Sequence, residues 1–115
     1  MQHAIPDFAD AERWCVETAL LERYCRKIEV QPVDVELRLD PVIPQLTLCP
    51  ALYWKEGDAA CLITKVGDGR FRSQFFYSVR EQYGTGQEEY DDLAQCVVTL
   101  LQKQADHEAK RQQNS

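Results

Sequence analysis

Two short turn segments near the middle of the chain constrain its fold most strongly. Gly67-Asp68-Gly69 supplies the positive-φ positions of a tight hairpin, and Lys55-Glu56-Gly57-Asp58 has the composition of a turn. Turns this short join neighbouring antiparallel strands, because a parallel connection needs a crossover of a dozen or more residues. The extended segments around these turns are therefore expected to form an antiparallel meander.

Four strands are predicted from the pattern of apolar and polar residues. Segment 33–39 alternates between the two and has one charged face, which is typical of an edge strand. A second extended segment follows at 45–55, where Pro50 cannot donate a backbone hydrogen bond, so a bulge or an irregular entry into the strand is expected at Cys49-Pro50. Segment 59–66 is nearly all small or apolar and is predicted to be a central strand, followed by a fourth strand at about 70–79.

One helix is predicted before these strands and one after them. Segment 6–28 contains an apolar stripe at helical spacing, and Asp7 is expected to cap its first turn. The stripe comprises Ala11, Trp14, Thr18, Leu21, Cys25 and Ile28, widened by Cys15 and Tyr24. Thr85-Gly86-Gln87-Glu88 has the pattern of a capping box, which predicts that the second helix begins there and runs to about Asp106 or somewhat beyond.

These elements predict a single α+β domain over residues 1–115. The expected architecture is a two-layer sandwich in the order helix, four-stranded antiparallel meander, helix, with both helices on one face of the sheet. A chain of 115 residues with 44% hydrophobic composition is long enough for one core and too short for two domains. The ordered core is expected at about 7–106, with 107–115 as a frayed polar tail.

The composition favours a soluble, acidic, cytoplasmic protein. Thirteen basic against nineteen acidic residues give a net charge of −6, which disfavours nucleic-acid binding. The sequence has no apolar run long enough to span a membrane, and its N-terminus lacks the pattern of a signal peptide. Five cysteines form no CxxC pair and are expected to be reduced thiols, as in a cytoplasmic protein.

The residue types that carry catalysis or bind metals do not cluster in the sequence. The only histidines, His3 and His107, lie in the two terminal regions, which disfavours a zinc site and a Cys–His pair. Cys49 is the strongest candidate nucleophile because it lies in the least regular strand. The acids of segment 81–92 are interpreted as the first turn of a helix rather than as a cation site. We therefore expect no catalytic residue, metal or cofactor, and the sequence favours a binding protein over an enzyme without deciding between them.

The leading hypothesis is a non-enzymatic cytoplasmic module that binds another protein through the outer face of its sheet or an exposed strand edge. The partner is expected to be a different protein or a second copy of the chain, as a homodimer, and no membrane is involved. Aromatic and arginine residues, which are enriched at interfaces, supply the candidate binding residues. These are Tyr53, Trp54, Arg70, Arg72, Phe76 and Arg80.

Two alternatives belong to other functional classes. The first is a small-molecule-binding protein or enzyme with a pocket between helix and sheet, where Arg72 or Arg80 would receive an anion. Its expected lining residues are Tyr53, Trp54, Tyr77 and Tyr83. The second is an acidic protein that mimics nucleic acid and occupies a basic groove. The sequence identifies neither the partner nor the ligand nor the biological process.

Overall fold

The computed structural model describes residues 5–113 as two helices and five strands. In chain order they are α1 (Asp10–Tyr24), β1 (Gln31–Leu37), β2 (Thr47–Glu56), β3 (Ala59–Gly67), β4 (Arg70–Ser78), β5 (Glu81–Gly84) and α2 (Leu93–Gln113). The strands form one antiparallel sheet in the order β1-β2-β3-β4-β5. The predicted α+β class and antiparallel meander are confirmed, but the sheet has five strands rather than four.

The turns that join β2 to β3 and β3 to β4 lie where the sequence predicts them. Gly57 and Gly69 take positive φ values of 61° and 68° in these turns, a conformation that glycine adopts without steric cost. Of the bulge or irregular entry predicted at Cys49-Pro50, the bulge is wrong, because Cys49 and Pro50 pair with consecutive residues of β1. The ladder between β2 and β3 begins only at Ala51, so the N–H group that Pro50 lacks is not required for pairing with β3.

The fifth strand and the segment after it occupy the residues that were expected to begin the second helix. Glu81–Gly84 pairs with β4, and the chain then returns to the same strand at Tyr90. The backbone groups of Tyr90 and Phe71 exchange two hydrogen bonds of 2.8 Å. The Thr85 hydroxyl lies 2.7 Å from the Tyr90 hydroxyl in a buried position. The capping box at Thr85 is therefore wrong, because its threonine is hydrogen-bonded inside the fold.

Asp92 caps α2 instead. Its carboxylate accepts hydrogen bonds from the backbone N–H groups of Ala94 at 3.0 Å and Gln95 at 3.3 Å. Helix N-termini leave such N–H groups without intrahelical partners, and an aspartate at this position satisfies them. The acids that precede Asp92 lie outside the helix, so their interpretation as its first turn is also wrong.

The first helix starts later and ends earlier than the sequence pattern suggests. Asp7 does not cap it; its carboxylate accepts the N–H of Phe8 at 2.9 Å. The cap is Ala9, whose N–H donates to the Glu12 carboxylate at 2.7 Å. At the other end Cys25 takes a left-handed φ of 56° and terminates the helix.

The face that α1 buries also differs from the predicted stripe. Val16 and Leu20 are fully buried, whereas Trp14 is 67% and Leu21 51% exposed. Glu12 lies on the buried side, four residues before Val16, and its carboxylate binds the Lys65 ammonium at 2.8 Å. The helix therefore has two apolar stripes, one with Trp14 and Leu21 and one with Val16 and Leu20. The ion pair between Glu12 and Lys65 lies beside the second stripe, which has the smaller side chains.

Both helices contribute to one core cluster that covers one face of the sheet, here called the inner face. Its members from the helices include Val16, Leu20, Val97 and Leu100, and those from the sheet include Leu52, Trp54, Ile63, Phe71 and Phe75. Burial of these apolar side chains is the main stabilising contribution to the fold. The opposite side of the sheet, here called the outer face, has no helix packed on it within residues 5–113.

The second helix, predicted to end at about Asp106 or somewhat beyond, ends at Gln113. The His107 ring lies 4.1 Å from the Tyr83 ring, and the Arg111 guanidinium lies 3.9 Å from the Tyr77 ring. These contacts keep residues 107–113 helical against the sheet, so the frayed tail predicted there is wrong for the described part of that segment. Neither helix within residues 5–113 is long and apolar enough to cross a membrane.

Candidate functional site

The outer face is defined by cross-strand rungs whose side chains all point away from the helices. One rung runs from Val33 through Ala51 and Thr64 to Arg72. Directly opposed residues of an antiparallel sheet share a face, so this rung identifies one outward-facing residue in each of the strands β1 to β4. The larger side chains of the face include Val33, Val35, Leu37, Tyr53, Lys55, Leu62, Arg72, Gln74 and Phe76.

This face is concave at one end. A pocket of about 260 Å³ has Leu62 and Thr64 of β3 at its centre. Val35 and Leu37 of β1 line it on one side, and Glu88 lines it on the other. Residues from opposite edges of a five-stranded sheet border the same pocket, so the outer face curves inwards over its central strand.

Tyr53 and Phe76 lie together at the other end of the outer face. Their ring centroids are 6.4 Å apart with an interplanar angle of 33°. Both side chains are half-buried and border a second hollow of about 300 Å³. The structure thus brings two of the predicted site residues into one aromatic pair that faces away from the helices.

Arg70 and Arg72 converge on Glu89, a residue that the sequence did not single out. Arg70 donates from Nε and Nη2 to the Glu89 carboxylate at 2.8 and 2.9 Å, and Arg72 Nη2 donates to it at 3.1 Å. Partial burial acts to raise the pKa of Glu89, but hydrogen bonds and charge from the two arginines hold that pKa below its ordinary value. This network fastens the segment before α2 to β4, and Glu88, whose carboxylate lies 3.7 Å from Arg72 Nη2, supplies a second negative charge beside the two arginines.

Trp54 and Arg80 do not join these residues. Trp54 is 1% exposed and belongs to the core cluster of the inner face, so the expectation that it could face outwards is corrected. The unbroken register between β1 and β2 settles its direction, because Tyr53 and Trp54 must point to opposite faces. Arg80 is exposed in the turn between β4 and β5.

The pocket proposed between helix and sheet is not assembled by its expected lining residues. Tyr53 lies on the outer face, whereas Trp54, Tyr77 and Tyr83 lie on the side of the helices. Tyr77 and Tyr83 pack against His107, with ring centroids 5.3 and 4.1 Å from its ring. The four side chains therefore cannot line a common cavity.

Cys49 has the surroundings of a structural thiol. It is fully buried, and its Sγ donates to the Thr47 carbonyl at 3.5 Å. Burial raises the pKa of the Cys49 thiol, although Arg72 acts to lower it. A raised pKa leaves less of the nucleophilic thiolate at neutral pH. Among residues 5–113 no group of three or more His, Cys, Asp or Glu residues could hold a metal ion, and His3 lies outside the described residues.

Sequence reasoning missed the residues that give the outer face its shape. Thr64 is small and buried, and it lines the hollow together with Leu62 and Arg72. The near-continuous apolar composition of β3 hides which residues face outwards, because both of its faces are largely buried. The outward-facing residues of β3 are identified by its register with β2, which is itself paired with the alternating strand β1.

Comparisons with protein-family models, with curated proteins and with solved structures found no match to this chain.

Proposed function

We propose that this chain is a non-enzymatic interaction module that binds another protein through the outer face of its sheet. The observation that carries the proposal is the composition of that face, on which no helix packs within residues 5–113. It presents the aromatic pair Tyr53 and Phe76 together with Arg72 and the apolar residues Val35 and Leu62. Aromatic and arginine side chains often anchor interfaces, and apolar neighbours exclude water around them.

The geometry favours a protein over a small molecule as the partner. The pocket beside Leu62 has about 260 Å³, below the roughly 300–1,000 Å³ of ligand sites, and it opens along the sheet. Arg72 is the cation beside it, and Glu89 already compensates that charge. The nucleic-acid mimic remains an alternative that rests on the net charge of −6 alone.

We place this activity in the cytoplasm, and a second copy of the chain is the other occupant proposed for the outer face. All five cysteines are free thiols, the state typical of a reducing compartment. A homodimer would bury the same aromatic pair that a different protein would contact. One set of variants therefore tests both kinds of partner.

The test replaces Phe76 with lysine and uses Val98→Lys as the matched control. Val98 is 55% exposed on α2, on the opposite side of the sheet from Phe76. Recovery of proteins from native lysate is quantified by mass spectrometry, and self-association by sedimentation velocity. Phe76→Lys should weaken one of the two associations about tenfold or more, because a buried aromatic anchor often contributes over 1.4 kcal/mol.

Circular dichroism of both variants establishes that the fold is retained. Arg72→Glu is unsuitable for this purpose, because it would place a second carboxylate beside Glu89 and detach the segment before α2. If Phe76→Lys folds normally and leaves both associations at the level of Val98→Lys, the outer face is not the interface.

A further inference from the structure

The two edges of the sheet differ in how far they are already paired. At one edge β5 has only four residues, and Tyr90 pairs with Phe71 of β4 beyond the end of β5. At the other edge β1 has seven residues, most of them exposed, and pairs only with β2 within the described chain. Alternate residues of an edge strand direct their N–H and C=O groups away from the sheet. The edge at β1 is therefore open to a further strand.

The two faces of β1 carry different chemistry. Val33, Val35 and Leu37 continue the outer face, and Asp34 and Glu36 point to the inner side. The cross-strand neighbours of the two acids are Pro50 and Leu48, neither of which carries a charge. Within residues 5–113 neither acid forms an ion pair. Their charges are therefore available to a strand added at this edge.

A hollow beside Asp34 has the shape and charge for a long basic side chain. It measures about 260 Å³ and is lined by Ile5, Pro6, Asp7, Asp34 and Pro50. The apolar walls can cover the hydrocarbon stem of a lysine or arginine, while the two carboxylates receive its charged end. Oppositely charged residues directly across two strands stabilise their pairing.

We propose that β1 binds an extended segment of a partner protein as a sixth strand of the sheet. The partner segment alternates apolar with basic residues. Its apolar side chains lie beside Val33, Val35 and Leu37, and its basic side chains lie beside Asp34 and Glu36. The proposed function is a premise here, since the partner is again a protein, but the surface is the edge of the sheet rather than its face.

A second copy of the chain does not meet this requirement. If two β1 strands paired antiparallel about Val35, Asp34 of one copy would lie opposite Glu36 of the other. Pairing about either acid would place that acid opposite itself. Like charges directly across two strands are destabilising, so self-pairing of β1 is disfavoured in these registers, whereas a basic strand meets opposite charge at both acids.

The probe for this proposal is a fluorescein-labelled peptide that alternates valine with lysine and matches the seven residues of β1. Fluorescence anisotropy at physiological salt measures its binding to the full chain. A peptide of the same composition with its valines and lysines in separate blocks provides the comparison. Two N-methylated forms of the alternating peptide, methylated on one or the other set of alternate residues, test for backbone pairing. We expect the alternating peptide to bind, the block peptide to bind at least tenfold more weakly, and only one methylated form to lose binding.

The protein variants are Asp34→Lys with Glu36→Lys, and the control is Glu17→Lys with Glu22→Lys. All four residues are exposed, and both double variants change the net charge equally. Reversing the charges of Asp34 and Glu36 should weaken binding of the alternating peptide by about tenfold or more, because two attractive cross-strand pairs become repulsive. The control should change its affinity less than twofold.

Three results would overturn the proposal: no saturable binding of the alternating peptide, equal loss in both double variants, or equal behaviour of the two methylated forms. Phe76→Lys distinguishes this failure from failure of the proposed function. It changes the outer face far from Asp34 and should leave peptide binding within twofold of the wild type. If Phe76→Lys loses protein association and the alternating peptide does not bind the wild-type chain, the outer face is supported as an interface and the proposed strand-binding site at β1 is rejected.

Discussion

Two adjacent leucines of α1 provide a matched test of which helix face packs on the sheet. Leu20 is fully buried, and Leu21 is 51% exposed. Truncating a fully buried leucine to alanine removes its burial and leaves a cavity, so Leu20→Ala should lower the free energy of unfolding by about 3–4 kcal/mol. Leu21→Ala loses little burial and gains helix propensity, so its change should stay within about 0.5 kcal/mol.

The expected difference is large enough for either chemical or thermal unfolding. For 115 residues the unfolding entropy corresponds to about 4 °C per kcal/mol, so Leu20→Ala should lower Tm by about 12–16 °C. Urea midpoints at two protein concentrations check the free energies and detect any contribution from self-association. The reasoning is refuted if Leu21→Ala destabilises as much as Leu20→Ala, because the stripe containing Trp14 would then be the buried one.

Three further predictions concern the end of the sheet, the start of α2 and the thiols. Asp92→Ala should destabilise by about 1 kcal/mol, because the N–H groups of Ala94 and Gln95 lose their acceptor, and urea midpoints should show a smaller effect for Glu88→Ala. The lowered pKa of Glu89 means that its ion pairs stabilise the fold above the ordinary value of 4.5 and that this contribution is lost as pH falls through the folded pKa. Urea midpoints of Glu89→Gln and the wild type should therefore differ at pH 7 and converge at acid pH. Glu88→Gln removes only a 3.7 Å ion pair between Arg72 and an 83% exposed side chain, so its midpoint should stay close to that of the wild type throughout. Thiol titration of the denatured, unreduced protein should return five thiols, and a count of three or one would contradict free cysteines.

The strands were predictable because their signals are local. Alternation identifies β1, and the glycines at 57 and 69 identify the turns on either side of β3. β5 was missed because four residues are too few to show alternation, and its pairing depends on β4 rather than on its own composition. A strand this short is determined by its neighbour.

The buried face of α1 was not predictable from apolar spacing alone. Trp14 and Leu21 form the more hydrophobic stripe in the sequence, and Glu12 argues against burial of the stripe that contains Val16. The structure buries Val16 and Leu20 instead of Trp14 and Leu21, and it pairs Glu12 with Lys65, a buried lysine on the inner face of β3. A buried charge must be paired, and the pair spans 53 residues of sequence, beyond the reach of any local pattern.

The same dependence on register decides the candidate site. Period-2 alternation predicts that Arg72 and Phe76 share a face of β4, and the structure places both on the outer face. The alternation could not show whether Tyr53 or Trp54 faces outwards while a bulge at Pro50 remained possible. A shift of one residue exchanges the two faces of a strand. Pro50 leaves the register with β1 intact, since the ladder to β3 begins one residue later. The tyrosine therefore lies beside Phe76 on the outer face and the tryptophan is buried, so the proposed binding surface depends on where Pro50 lies relative to the ladder between β2 and β3.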